Sequence, residues 1–398
     1  MNVIGIVCEY NPFHSGHLYM INESRRRLGE DSVTVCVMSG DFVQRGEAAL
    51  YSKFARAEAA CRCGADLVLE LPLPWSVSSA EGFAEGAVSV LAAAGCTHLS
   101  FGSECGELEP LAALAREILN PATAGKIKDC LSADASLSYA MARQRVLSEA
   151  LGETGELLSG PNNILAVEYL KAIYKHAYPI IPMTVKRIGS GHDKAGESGP
   201  KSASEIRALI ERGGDVSGYI PSKALEVYRR ESEAGRVRRP ELLETALLSR
   251  LRMFERPHYE ALPDASDGAG IRLYNAVREG GSLEEITAAA RSKRYPLARM
   301  RRMLYCAALG ISAECTKGLP PYARVLAADK KACALLRKLE GKTAIPVLTR
   351  ASAVRKFGER AERVFAAGAS AHDLYTLQFV TNDDKKPGND WRRGPSIV

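Results

Sequence analysis

Apolar residues fall along this chain in two rhythms. Through the first half, short unbroken runs of branched and small apolar residues alternate with longer stretches in which apolar positions recur every three or four. The runs at 3–7, 32–38, 66–70, 97–101 and 178–187 predict strands buried on both faces, as in a parallel sheet. Between them, helical spacing appears at 17–28, 51–63, 80–94, 108–119 and 136–151, in a segment opened by Pro161-Asn162-Asn163 that runs to about 176, and at 202–212. This alternation predicts an open, doubly wound α/β domain whose ligand crevice lies at the carboxyl ends of the strands. Beyond about residue 215 the strand signals fade and helical segments take over, near 222–234, 240–254, 268–278, 283–290, 297–310 and 322–340. Residues 381–398 are polar, rich in Asp, Lys, Arg, Gly and Pro, and read as a disordered tail. The expected organisation is an α/β domain over 1–215, a mainly helical domain over 216–380, and the tail. No internal repeat is visible.

Composition is that of an ordinary soluble globular chain, 46% hydrophobic and 25% charged, and 398 residues suffice for two or three domains. No run approaches the roughly 18 to 20 apolar residues of a membrane span, and no basic segment with an apolar core opens the chain, so a cytoplasmic protein with no membrane partner is expected. The ten cysteines form no CxxC pair and several sit in apolar runs, which points to reduced thiols. Charge changes the picture more. Residues 1–215 carry 20 Lys and Arg against 26 Asp and Glu, whereas 216–398 carry 33 against 21. The basic half suits a polyanion, although a solvated basic surface gives the same count. Its densest cluster, Arg291-Ser292-Lys293-Arg294-Tyr295-Pro296 followed by Arg299, Arg301 and Arg302, sets an aromatic ring among arginines at a helix start, which suits an RNA backbone and an unstacked base.

Chemistry concentrates directly after the first strand, in Glu9-Tyr10-Asn11-Pro12-Phe13-His14-Ser15-Gly16-His17. Pro12 biases Asn11 away from helical angles and ends the strand. His14 and His17 then open a helix, three apart and so on one face. With the free N–H groups and positive dipole end of that helix, they can hold nucleotide phosphates and stabilise charge developing at an attacked α-phosphate. Capping histidines or half of a metal site are the plain alternatives, and the position after a strand favours the nucleotide. Other candidates follow strands too: Gly40 and Asp41, Gly102, and Arg187, with Asn162 where a helix N-cap would be. Each could equally be local punctuation. Residues 189–200, with His192, form a glycine-rich polar loop of the kind that closes over a ligand. It leads into Lys201-Ser202, a second phosphate-binding element whose spacing to Glu205 is also that of a capping box.

Taken together, Gly5-Ile6-Val7-Cys8-Glu9-Tyr10-Asn11-Pro12-Phe13-His14-Ser15-Gly16-His17, Ser39-Gly40-Asp41-Phe42-Val43-Gln44-Arg45-Gly46-Glu47, Gly64-Ala65-Asp66-Leu67-Val68-Leu69-Glu70-Leu71-Pro72, Phe101-Gly102-Ser103-Glu104, Pro161-Asn162-Asn163-Ile164-Leu165 and Ser292-Lys293-Arg294-Tyr295 resemble the bacterial tRNA(Met) cytidine acetate ligase family, over residues 1 to about 380. The HxGH element alone indicates only the nucleotidyltransferase superfamily. The resemblance implies that acetate attacks the α-phosphate of ATP to give acetyl-adenylate and pyrophosphate, and that the acetyl group passes to N4 of the wobble cytidine of elongator tRNA(Met). It implies an ATP site comprising Val7, Cys8, Glu9, Tyr10, Asn11, Pro12, Phe13, His14, Ser15, Gly16, His17, Leu18, Tyr19 and Met20 with Gly102, Asn162 and Arg187. In that site His14 and His17 stabilise the pentavalent phosphate, and Lys201 with Ser202 stands for the flexible phosphate loop of related synthetases. The cluster Lys293, Arg294, Tyr295, Arg299, Arg301 and Arg302 is then the tRNA-binding surface. Magnesium is expected to bridge the phosphates; no carboxylate cluster marks a protein cage, and Asp41 and Glu104 are the possible contributors. Two other readings stay open. An adenylyltransferase acting on a small phosphorylated metabolite leaves the basic half unexplained, and a non-catalytic RNA adaptor leaves His14, His17 and Lys201-Ser202 unexplained.

Overall fold

The computed structural model describes residues 1–134, 136–187, 201–339, 341 and 343–398. Ten strands occur in it: β1 Val3–Cys8, β2 Val33–Ser39, β3 Phe42–Val43, β4 Glu47–Ala48, β5 Leu67–Leu71, β6 His98–Ser103, β7 Ile181–Lys186, β8 Ala323–Ala328, β9 Val347–Leu348 and β10 Ser396–Ile397. β3 and β4 make a separate hairpin, and the rest form one sheet in the order β10-β8-β5-β2-β1-β6-β7 with β9 beside β8. The five apolar runs of the first half are its parallel part, from β5 to the edge strand β7. Successive side chains of β2 serve opposite faces. Val33, Val35 and Val37 join a core with the helices Ala80–Ala93, Leu108–Leu119 and Pro161–Lys175, while Cys36 and Met38 face Ile21 of the helix Ser15–Leu28 and Phe54 of the helix Lys53–Arg62. Burial on both faces is why β1, β2 and β5 read as unbroken apolar runs, whereas β7, expected to be buried likewise, is an edge strand that leaves Ile181 exposed. From β1 the chain moves outward to β2 and β5 and then returns to β6 on the other side of β1. The carboxyl ends of β1 and β6 therefore flank the switch point where such sheets bind ligands.

The second half departs from expectation in two places. The helical segments between 222 and 309 are present, and four of them, Pro240–Met253, Ala269–Glu279, Leu283–Ala290 and Leu297–Leu309, enclose a core around Leu247, Leu273, Ile286 and Met303. The segment read as a helix over 322–340 instead begins with β8, which pairs antiparallel with β5, before the helix Lys330–Leu339; the sheet is thus mixed at that edge. A run of alanine with Arg324, Val325 and Leu326 fits either state, and the open side of β5 decides for strand. The stretch 381–398 is not a disordered tail. It carries the short helix Asn389–Arg392, and β10 pairs with β8. Asp390 is 1% exposed and bonded to Lys53 Nζ at 2.6 Å and Arg324 Nη1 at 3.0 Å, while Lys53 also holds Glu70 at 2.8 Å. A polar segment orders here because one of its carboxylates completes a buried charge network. The helices Pro121–Ala133 and Glu359–Thr376 were not expected. All ten cysteines are free, and among the described residues no helix is long and apolar enough to cross a membrane.

Candidate active site

β1 delivers the chain to a tight turn in which Tyr10 has φ +47°, a left-handed conformation costly for a bulky residue and therefore held from outside. Its hydroxyl bonds Cys36 Sγ at 3.2 Å, and its ring meets Phe13 and His17 edge-on at 4.8 Å. The turn is pinned further by groups the sequence did not announce. The Phe13 N–H donates to the Tyr228 hydroxyl at 2.8 Å, Arg207 donates to the Asn11 carbonyl at 2.9 Å, and the Tyr219 carbonyl accepts both the N–H and the hydroxyl of Ser15, at 2.8 and 2.9 Å. Arg56, the one arginine buried among the alanines of its helix, donates to the carbonyls of Glu9, Ser39 and Gly40 and so ties together the ends of β1 and β2.

His14 is the N-cap of the helix Ser15–Leu28, and the capping is reciprocal. Its Nδ1 accepts the Gly16 N–H at 3.1 Å, while His17 Nδ1 accepts the His14 N–H at 3.2 Å, with ring centroids 3.7 Å apart. Gly16 gives the His14 ring its room, since a Cβ there would lie 3.0 Å from His14 Cε1 and push the ring aside. With each Nδ1 accepting, the ring proton resides on Nε2. Burial, reinforced by Arg187, pulls His14 down to about 4; burial, then His14 and Arg187, holds His17 well below the usual imidazole range. Both are neutral N–H donors at neutral pH, so the cap and the ligand reading coexist, and positive charge has to come from elsewhere.

Arg187 supplies it. Its N–H continues the β6–β7 ladder to Ser103 at 3.1 Å, and its stem lies over Gly102, where a Cβ would sit 3.1 Å from Arg187 Cγ and 3.3 Å from Met20 Cε. Burial lowers its pKa, Glu104 opposes this and Arg45 adds to it, and it has no ion pair within 4.0 Å among the described residues. Asn162 is close by but is not an N-cap. Gly160 holds that position, and the Glu104 carboxylate caps from outside, accepting from Asn162 N–H at 3.0 Å, Asn162 Nδ2 at 2.6 Å and Asn163 N–H at 2.7 Å. A cleft of about 750 Å³ opens along Glu104, Glu153, Gly160 and Asn162. Of the rest of the turn, Cys8 and Pro12 are buried, Val7 and Leu18 pack against the two faces of the sheet, and Tyr19 is exposed.

The profile of the HIGH Nucleotidyl Transferase family matches residues 1–390. The tRNA(Met) cytidine acetate ligase of Syntrophomonas wolfei is 34% identical over 99% of each chain, and that of Acetivibrio thermocellus 33% over 100% of each. Among solved structures, Thermotoga maritima TmcAL bound with alpha-thio ATP superposes with a TM-score of 0.91 at 31% identity, covering 100% of both chains. The chain belongs to the tRNA(Met) cytidine acetate ligase family. Membership makes it an ATP-binding ligase of tRNA modification, built on the nucleotidyltransferase fold.

The other residues expected of a tRNA(Met) cytidine acetate ligase are placed less uniformly. Lys201 holds its ammonium 5.3 Å from the ring of Tyr219, the residue whose carbonyl accepts from Ser15. Ser202 N-caps the helix Ala203–Glu211 in a full capping box, its hydroxyl donating to Glu205 at 2.7 Å. The 189–200 loop and His192 lie outside the described residues. Asp41 does not face the crevice. It is buried against His372 Nδ1 and the Lys53 N–H, both at 2.8 Å; burial opposes its charge, but His372 and then Lys53 outweigh that and hold the carboxyl far below its usual range. With Glu104 committed to the helix start, neither carboxylate fits a magnesium cage, and no other group of three ligating side chains occurs among the described residues.

The basic cluster needs correction at its aromatic member. Tyr295 is buried, its hydroxyl bonded to the Asp267 carbonyl, with Arg299 and Arg294 at 5.3 and 6.0 Å from its ring. It is a support for arginines rather than a platform for a base. Arg299 donates to the Asp264 carbonyl at 2.6 Å, and Arg302, its pKa lowered by burial, approaches the Asp264 carboxylate at 3.6 Å. Lys293 and Arg301 remain exposed, and Arg294 is half-exposed beside Asp267.

Proposed function

We propose that this ligase joins acetate to ATP and then acetylates N4 of the wobble cytidine of elongator tRNA(Met). A carboxylate oxygen of acetate attacks the α-phosphorus, the bond to the β-phosphate oxygen breaks, and pyrophosphate leaves. The cytidine amine then attacks the acetyl carbon, the bond to the AMP oxygen breaks, and AMP and the amine proton depart. The observation that carries this reading is the reciprocal imidazole cap. It presents two neutral Nε2–H donors at a helix N-terminus, with Arg187 nearby and without an ion pair among the described residues. Donors that need no rearrangement as negative charge grows on the five-coordinate phosphate stabilise that state more than the ground state. To Lys201, whose ammonium lies 5.3 Å from the Tyr219 ring, this reading assigns the charge of the departing pyrophosphate. The exposed Lys293 and Arg301, with the half-exposed Arg294 between them in the cluster, supply a surface for the RNA backbone.

The test is pyrophosphate release with ATP, magnesium and acetate, with and without total tRNA, followed by nucleoside analysis of the RNA. Acetate-dependent release with N4-acetylcytidine appearing is expected. Release that requires a phosphorylated metabolite instead would establish an adenylyltransferase and overturn the proposal.

A further inference from the structure

The β3–β4 hairpin has no part in the site as described so far, yet it touches both of its halves. It turns at Gln44, Arg45 and Gly46. On one side the Gln44 N–H donates to the Glu9 carboxylate at 2.8 Å, and Glu47 is held at 3.0 Å by Arg207, whose other nitrogen holds the Asn11 carbonyl at 2.9 Å. On the other side Gly46, at φ +70°, is pressed onto the helix Leu297–Leu309, where a Cβ would lie 2.8 Å from the Arg301 carbonyl carbon and the Arg302 nitrogen. The Phe42 ring meets Tyr305 of the same helix at 5.8 Å. The hairpin is thus clamped between the turn that carries His14 and the helix that carries Arg301.

At its tip Arg45 is exposed and has no ion pair among the described residues, whereas neighbouring arginines are neutralised: Arg207 by Glu47, Arg238 by Glu211 and Arg302 by Asp264. Arg45 is near enough to Glu9 and Arg187 to act on both. Burial raises the Glu9 carboxyl against the pull of the Gln44 N–H and Arg45, and burial lowers Arg187, with Arg45 adding to it. Arg187, Arg45 and Arg301 are then three cations without an acidic partner among the described residues, leading from the crevice to the basic helical face.

We infer that Arg45 binds a backbone phosphate of the tRNA segment that enters the crevice, next to the nucleotide whose amine is acetylated. The inference rests on the acetylation reading above. A cytidine that reaches the adenylate must leave its stack, which brings its own phosphates to the mouth of the crevice. A cation fixed there by a clamped hairpin orients the nucleotide with little entropy to lose, while Lys293 and Arg294 further out contribute mainly affinity.

The experiment uses the full chain. In Arg45→Ala, acetate-dependent ATP–pyrophosphate exchange should change less than twofold, and kcat/KM for tRNA acetylation should fall about tenfold or more. The salt slope of tRNA binding, measured without nucleotide, should become shallower by about one. Arg45→Lys should restore the slope and part of the rate, because it returns the charge without the planar fork. Lys126→Ala, exposed on the helix Pro121–Ala133, serves as the control and should change neither. Exchange falling as far as acetylation would assign Arg45 to the nucleotide and overturn the inference; so would an unchanged salt slope. Were the wild-type protein to form no acetylcytidine, the acetylation reading would fail by itself, and the binding measurement would still decide on Arg45.

Discussion

Two groups of charges in this molecule are built on opposite plans. Around Lys53, Glu70, Arg324 and Asp390 the network is closed: two cations and two carboxylates, all at most 8% exposed in their side chains, lie within 3.3 Å of one another in bonded pairs. Around the helix start at His14 the arrangement is open, with Arg187 and Arg45 unpaired among the described residues and the histidines kept neutral. A charge answered from within holds the fold together; a charge left unanswered waits for a ligand. The same distinction separates Arg299 and Arg302, bonded internally, from the exposed Lys293 and Arg301.

The contrast can be broken from either side. Asp390→Ala leaves Lys53 and Arg324 buried with one carboxylate between them, so a loss of about 3 to 5 kcal/mol is expected in denaturant unfolding, with little dependence on salt; a loss under 1 kcal/mol would mean that the network is open to water. His17→Ala removes one positioned donor and should slow acetate-dependent exchange by about 10²- to 10³-fold while tRNA binding stays within twofold; a comparable loss of RNA affinity would contradict the assignment. The histidines also make stability pH-dependent. The His14 value is lowered on folding, to about 4, so the unfolded chain takes up the proton first as pH falls. Stability is therefore fully present above about pH 6.5 and declines between there and pH 4, by about 2 kcal/mol from pH 7 to 5 for this residue. His14→Asn, which can cap but not titrate, should flatten that decline in melts at the two pH values. Smallest, replacing Lys293 and Arg294 together by Ala should weaken tRNA binding by about 1 kcal/mol and lower its salt slope, leaving exchange intact.

What could be read beforehand follows from how local each signal is. The strands β1, β2 and β5 declare themselves because burial on both faces makes them unbroken apolar runs, and His14-Ser15-Gly16-His17 does so because its geometry is contained in one turn. The helix Glu359–Thr376 was missed because alanines supply most of its apolar positions and leave little periodic contrast. Asp390 was missed for another reason. Nothing within ten residues shows that Lys53 and Arg324 await it, and a carboxylate in a polar stretch looks the same whether it is solvated or enclosed. Tyr295 misled in the converse way, since an aromatic among arginines reads as a stacking platform until its hydroxyl is seen bonded to Asp267. Asp41 likewise stands at the end of a strand, as a catalytic carboxylate would, and its partner His372 lies on the unforeseen helix.

The pairing of β8 with β5 has a consequence for how the protein is made. A ribosome releases the central strands early, but β5 keeps an outer row of unanswered N–H and C=O groups until β8 emerges, and β8 is flanked in turn only by the late strands β9 and β10. For most of translation the parallel sheet therefore has a raw border, of the kind that invites pairing with another nascent chain. The helices between 222 and 309 are synthesised in that interval, so the chain builds its helical half while its sheet still waits for the segment that will seal it.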